Sequence, residues 1–176
     1  PGEYNYVSNV AIGTNKEIYL QSLYDLLVYN IKGEFLRKIK NFFLFDNDYI
    51  YTWNLLNDSM FFGHIPNSTG NKKLKAIIFD NIGDPIKRFD NYISFNRKKE
   101  LFSRQEGHAN VYSFKGRYYY KDIYNDTMFC LLDNYQLFPS YLFKLGKFSE
   151  PISFRENKTL EKDLGYAKEW SSYIYI

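Results

Sequence analysis

Thiol chemistry is nearly absent from this chain. Cys130 is its single cysteine, so no disulfide can form within it, and the redox compartment stays open. Within Met128-Phe-Cys-Leu-Leu, Cys130 reads as a small buried or half-buried strand residue. Histidine is nearly as scarce. His64 and His108 each follow a glycine, and neither has a ligating partner within helical or hairpin reach, so no metal site is expected. No Gly-x-Ser-x-Gly elbow is present, and the glycines are scattered one per turn instead of forming a phosphate loop. No cofactor is expected. No apolar run approaches the ~20 residues of a membrane-spanning helix, and there is no signal-peptide pattern. The chain begins Pro1-Gly2-Glu3-Tyr4 without an initiator methionine, which suggests a mature or trimmed segment.

Charge of one sign is also lacking. Against 23 Lys+Arg stand 20 Asp+Glu, for a net +3, too mild to argue for a nucleic-acid partner. Two basic runs, Lys72-Lys73-Lys75 and Arg97-Lys98-Lys99, fall in expected loops and read as solvated loop tips. Aromatics are abundant at 20%, with 18 Tyr and 16 Phe, and flat rings on a pleated surface favour strands. The length of 176 residues allows one domain with a real core.

The aromatics fall into a pattern that occurs three times. Each pass has an aromatic-rich strand, a second apolar strand, a turn and a third strand. The passes are Glu17–Ser22, Leu26–Ile31, Phe35–Lys40; Ser59–Ile65, Leu74–Asn81, Ile86–Phe89; and Arg117–Ile123, Thr127–Asp133, then a turn ending at Pro139 and Tyr141–Leu145. Val7–Ile12, Tyr49–Trp53 and Ala109–Phe114 fit the slot of a further strand ahead of each pass. The repeat recurs roughly every 50 residues, the size of a four-stranded propeller blade. The expected fold is therefore all-β: a partial β-propeller over 1–176, with blades at 7–41, 48–91 and 107–148 and the start of another at 171–176. Residues 95–106 read as an excursion or short helix. Residues 157–170 read as a helix capped by Asn157, with Leu160, Leu164 and Ala167 on one face. Three blades cannot close a ring, so the rest of the propeller is expected to be missing from this chain.

Three stretches carry a family resemblance: Pro1-Gly2-Glu3-Tyr4; Leu27 to Ile39 with its x-Gly-x turn; and Asn125-Asp-Thr-Met-Phe followed by Phe138-Pro-Ser-Tyr-Leu-Phe-Lys-Leu-Gly146. In this order they resemble the six-bladed, TolB-like β-propeller proteins exported as lipoproteins in Bacteroidetes. The resemblance implies an extracytoplasmic location, in the periplasm or at the cell surface. It also implies a lipid anchor upstream of the segment.

The aspartates beside Asn or Gly read as turn formers whose side chains bond nearby backbone amides, so no glycosidase pair stands out. The Asn-x-Ser/Thr sequons at Asn57, Asn67, Asn125 and Asn157 read as chance matches in an Asn-rich chain. Tyr118-Tyr119-Tyr120 is continuous, so at least one ring must face away from the core side of its strand.

The expected function is a non-catalytic binding or scaffolding role outside the cytoplasm, towards a protein, peptide or glycan. Recognition would use loops at a channel mouth, with Trp53, His64, His108 and Arg117 as ligand-binding candidates because each lies near a strand end. Two alternatives are a propeller enzyme, either lyase or glycan hydrolase, and a lipocalin-like closed barrel.

Overall fold

A computed structural model of the chain describes residues 6–22, 25–39, 44–45, 48–97, 109–149 and 151–157. Its strands form three separate four-stranded antiparallel sheets and one short hairpin. The first sheet holds β1 (Asn9–Ile12), β2 (Glu17–Ser22), β3 (Asp25–Asn30) and β4 (Phe35–Ile39) in chain order. The hairpin is β5 (Leu44–Phe45) with β6 (Asp48–Tyr49). The second sheet holds β7 (Thr52–Asn57), β8 (Met60–His64), β9 (Leu74–Asp80) and β10 (Pro85–Asp90). The third holds β11 (Ala109–Phe114), β12 (Arg117–Asp122), β13 (Thr127–Leu131) and β14 (Leu137–Leu142). A 3-10 turn, Gly146–Phe148, and a short helix α1 (Ile152–Asn157) follow.

All-β architecture in four-stranded antiparallel units is what the sequence implies, but closure is not seen. No strand pairing joins the three sheets among the described residues, and no single cylinder of the lipocalin type forms. Two local readings change. Pro139 lies inside β14 opposite Phe129 instead of ending a turn. An edge strand tolerates it because the missing N–H need not serve a ladder bond. Lys75 and Arg97 are buried, not loop-tip cations: Lys75 sits in β9, and Arg97 lies on an extended segment that donates its backbone N–H to Thr69 O. Of the expected 157–170 helix, the described residues hold only Asn157, as the last residue of α1.

The turns repay the Asx pattern. Asn30 Oδ1 accepts from the backbone N–H groups of Lys32 and Glu34, and Asp80 Oδ1 accepts from those of Ile82, Gly83 and Asp84. Each of these turns places a glycine at positive φ, Gly33 at 80° and Gly83 at 100°. In the third sheet the same place in the turn is held by Tyr135, at φ 59°.

The chain divides into two compact units: residues 1–65 with 74–90, and residues 66–73 with 91–176. In the first unit, the first and second sheets pack face to face. Tyr19, Leu26, Val28 and Ile39 from one meet Trp53, Phe61, Ile77 and Phe79 from the other, joined by Ile50 and Ile65. Phe61 is the hub: Tyr19 and Trp53 meet its ring edge to face at 5.1 and 5.6 Å, and Phe79 stacks on it at 5.1 Å. Gly63 is required here, because a Cβ would stand 2.8 Å from Ile50 Cδ1.

The second unit is held differently. Its two connecting segments run side by side, with Asn91 N donating to Lys73 O and Phe95 N to Gly70 O. A pair of rings with a cation at each end then ties α1 to the sheet. Arg97 lies 5.3 Å from the Phe95 ring centre, Phe95 meets Tyr124 at 5.3 Å, and Arg155 lies 5.0 Å from the Tyr124 ring. Arg97 Nε donates to Arg155 O at 2.9 Å, closing the clip.

Candidate binding face

The sequence candidates scatter. Trp53 and His64 lie on neighbouring strands, with Trp53 opposite Gly63 and His64 opposite Thr52, so their side chains leave opposite faces of the second sheet. Each is 2% exposed. Trp53 Nε1 donates to Gln21 Oε1 at 2.8 Å across the two stacked sheets, and its backbone O accepts from Asn9 Nδ2 at 3.0 Å. A ring so enclosed is a wall of the core and not a surface for ligand. His108 lies outside the described residues. Arg117 is exposed, at the start of β12.

Arg117 points to a feature that the sequence revealed only in part, through Tyr119. Directly paired residues on antiparallel strands share a face. The register Phe114↔Arg117, Tyr112↔Tyr119, Lys121↔Met128 and Met128↔Tyr141 therefore places these side chains on one face of the third sheet. Tyr112, Phe114, Tyr119, Met128 and Tyr141 line an open hollow of about 290 Å³ on that face. Exposure is high for such rings: Tyr112 47%, Phe114 61% and Tyr141 58%. Tyr119 and Tyr141 lie 6.1 Å apart with planes tilted by 45°. Lys115 Nζ sits 5.3 Å from the Phe114 ring centre and puts positive charge at one end. At the same end a second hollow of about 370 Å³ is lined by Arg117, Cys130, Leu131, Leu132, Asp133 and Asn134.

Below the rings the strand is enclosed. Lys121 is buried, and its ammonium donates to Asp122 O at 2.7 Å. Burial pulls its pKa down, partly offset by the Asp122 and Asp126 carboxylates. Tyr120 faces the other way and is fully enclosed; burial and the neighbouring Asp122 hold its phenol protonated far above neutral pH. The three consecutive tyrosines were the visible clue. Tyr119 is the ring that faces outward, and Tyr112 and Tyr141 reach it only through pairings that span the sheet.

Chemically the face offers flat rings, phenol hydroxyls and a cationic end. Among the described residues, no group of three or more His, Cys, Asp or Glu side chains could hold a metal ion. No helix among them is long and apolar enough to cross a membrane.

No family model and no curated protein matches the chain. Among solved structures, it is similar to a crystal structure of a protein from Bacteroides fragilis inferred to be exported. The likeness has a TM-score of 0.64 at 16% identity, and covers 93% of this chain and 47% of the other. At that identity the likeness shows the fold alone, and the chain spans about half the length of this neighbour. The resemblance to six-bladed, TolB-like propeller lipoproteins is overturned. The sheets are three separate four-stranded units without ring closure, and no family model supports the assignment.

Proposed function

We propose that this chain is a non-catalytic binding or scaffolding segment that works outside the cytoplasm, built from blade-like four-stranded sheets. The observation that carries this reading is the open aromatic face of the third sheet. Soluble chains rarely leave contiguous rings uncovered without a partner for them. The face replaces the loop ends as the recognition element: Arg117 stays at its rim, while Trp53 and His64 serve the core. A rigid sheet holds the rings in place before binding, which lowers the ordering cost of association. An extracytoplasmic setting is supported by the structural neighbour's inferred export.

The test is a binding survey of the purified chain against glycans and peptides, with a Tyr112→Ala/Tyr141→Ala double variant beside it. A ligand retained by the parent and lost by the variant is the expected result. Equal retention by both removes the aromatic face from any role, and fractionation that finds the native protein in the cytoplasm removes the compartment.

A further inference from the structure

The register allows the three sheets to be compared position by position. In each, the turn after the third strand closes on one carbonyl: Gly33 N bonds Asn30 O, Gly83 N bonds Asp80 O, and Tyr135 N bonds Leu132 O. Two residues before these anchors stand Val28, Ile78 and Cys130, which pair with Tyr19, Phe62 and Tyr119. Tyr19, Phe62 and Tyr119 are therefore equivalent and mark the same face of each sheet. In the first two sheets that face is covered, with Tyr19 and Phe62 essentially without solvent contact. In the third it is the open aromatic hollow.

The opposite face follows the same logic. Phe61, one residue before Phe62, receives Tyr19 from the first sheet. Its equivalent in the first sheet is Ile18, whose row Ile12, Ile18, Tyr29 and Phe35 lies on the sheet's other side. That face is open in part, with Ile12 67%, Val10 51% and Phe35 38% exposed, while Leu20 and Leu27 on the same face are buried. Among the described residues, the two halves of the contact seen inside the first unit thus recur as exposed patches: the aromatic hollow around Tyr119 and the exposed part of the Ile18 face.

We propose that a second copy of this chain supplies the missing half, so that the Tyr119 face of one copy stacks on the Ile18 face of another. This rests on the reading of the aromatic face as a recognition surface and names its partner. The contact is heterologous, different patches meeting head to tail. A four-stranded face with strands about 4.8 Å apart and about 3.3 Å per residue covers roughly 400 Å². That is about half of what each partner contributes to a stable complex. One such contact is therefore weak, and association through it depends on concentration.

Sedimentation of the full chain across the micromolar range, with Tyr141→Glu and Ile12→Glu variants, tests this. Both side chains are exposed, so folding survives, which circular dichroism verifies. Self-association is expected in the parent and weakened at least about tenfold in either variant, the loss typical of burying an unpaired charge in a contact. An equimolar mixture of the two variants should recover a one-to-one complex, because each retains the half the other lacks. A parent that stays monomeric at the highest concentration overturns the proposal. So does association lost in Tyr141→Glu but untouched in Ile12→Glu, which means like faces meeting. A monomeric chain that still loses glycan or peptide binding on Tyr112→Ala/Tyr141→Ala rejects only the second copy; the recognition surface then stands.

Discussion

The two units solve the same problem by opposite means. In the first, one sheet covers another with rings and aliphatic side chains around Phe61, and the buried Trp53–Gln21 hydrogen bond crosses between them. In the second, a single sheet is braced by the Phe95–Tyr124 pair with Arg97 and Arg155 at its two ends, while five large side chains stay at the open hollow. Repeating strand order does not by itself decide where the interior lies. What covers each face does, and the first unit covers its Tyr19 and Phe61 faces with one another.

This contrast can be broken or sharpened experimentally. The largest effect belongs to Trp53→Ala. Removing the ring from between the stacked sheets should cost about 3–5 kcal/mol of stability, read by denaturant unfolding. A smaller loss would mean that the stack relaxes around the gap. Gly70→Ala attacks the second unit. At φ +82° a Cβ would stand 2.0 Å from Phe95 O, so the paired connecting segments must shift. A loss of about 2 kcal/mol or more is expected by the same measurement. Tyr135→Gly works the other way: it puts glycine at the turn position that Gly33 and Gly83 hold, and should stabilise by up to about 1 kcal/mol.

Acid should separate the units as well. In the first, the Arg37 guanidinium grips Glu17 through two bonds of 2.6 and 2.8 Å and brings its pKa from an ordinary 4.5 to about 2. A depressed native pKa means that this contribution is complete above about pH 4.5 and is lost as pH falls towards 2. The pair is partly solvated, so the Glu17→Gln variant should flatten the acid limb by about 1 kcal/mol or less. The smallest effect is expected from Tyr141→Ser, within about 0.5 kcal/mol of the parent, because the ring is already in water. A larger loss would show that the hollow's rings support the fold itself.

Much of the fold was legible because strand alternation and Asx turns are local. Glu17–Ser22 and Ala109–Phe114 were readable to the residue from aromatic alternation and the turns that bound them. Asp80, an aspartate followed by Asn and Gly, announced its turn through residue type alone; Asn30 plays the same part from the end of its strand. Trp53 and His64 misled because nearness to a strand end says nothing about cover. Their burial depends on partners such as Gln21, 32 residues away from Trp53. Lys75 and Arg97 misled for a related reason: long cationic side chains can lie along apolar neighbours, and charge patterning assumes water around them. The binding face was half visible. Tyr119 stood out within its triplet, whereas Tyr112 and Tyr141 join it only once the register brings three strands together.

The prolines at the sheet margins carry a consequence of their own. Pro85 opens β10 and Pro139 sits within β14, and both strands are outermost in their sheets. A margin that lacks an amide donor is a poor template for a stranger's backbone. Runaway ribbon growth is thereby discouraged in a chain rich in tyrosine and phenylalanine, and contacts with other molecules are steered towards broadside stacking.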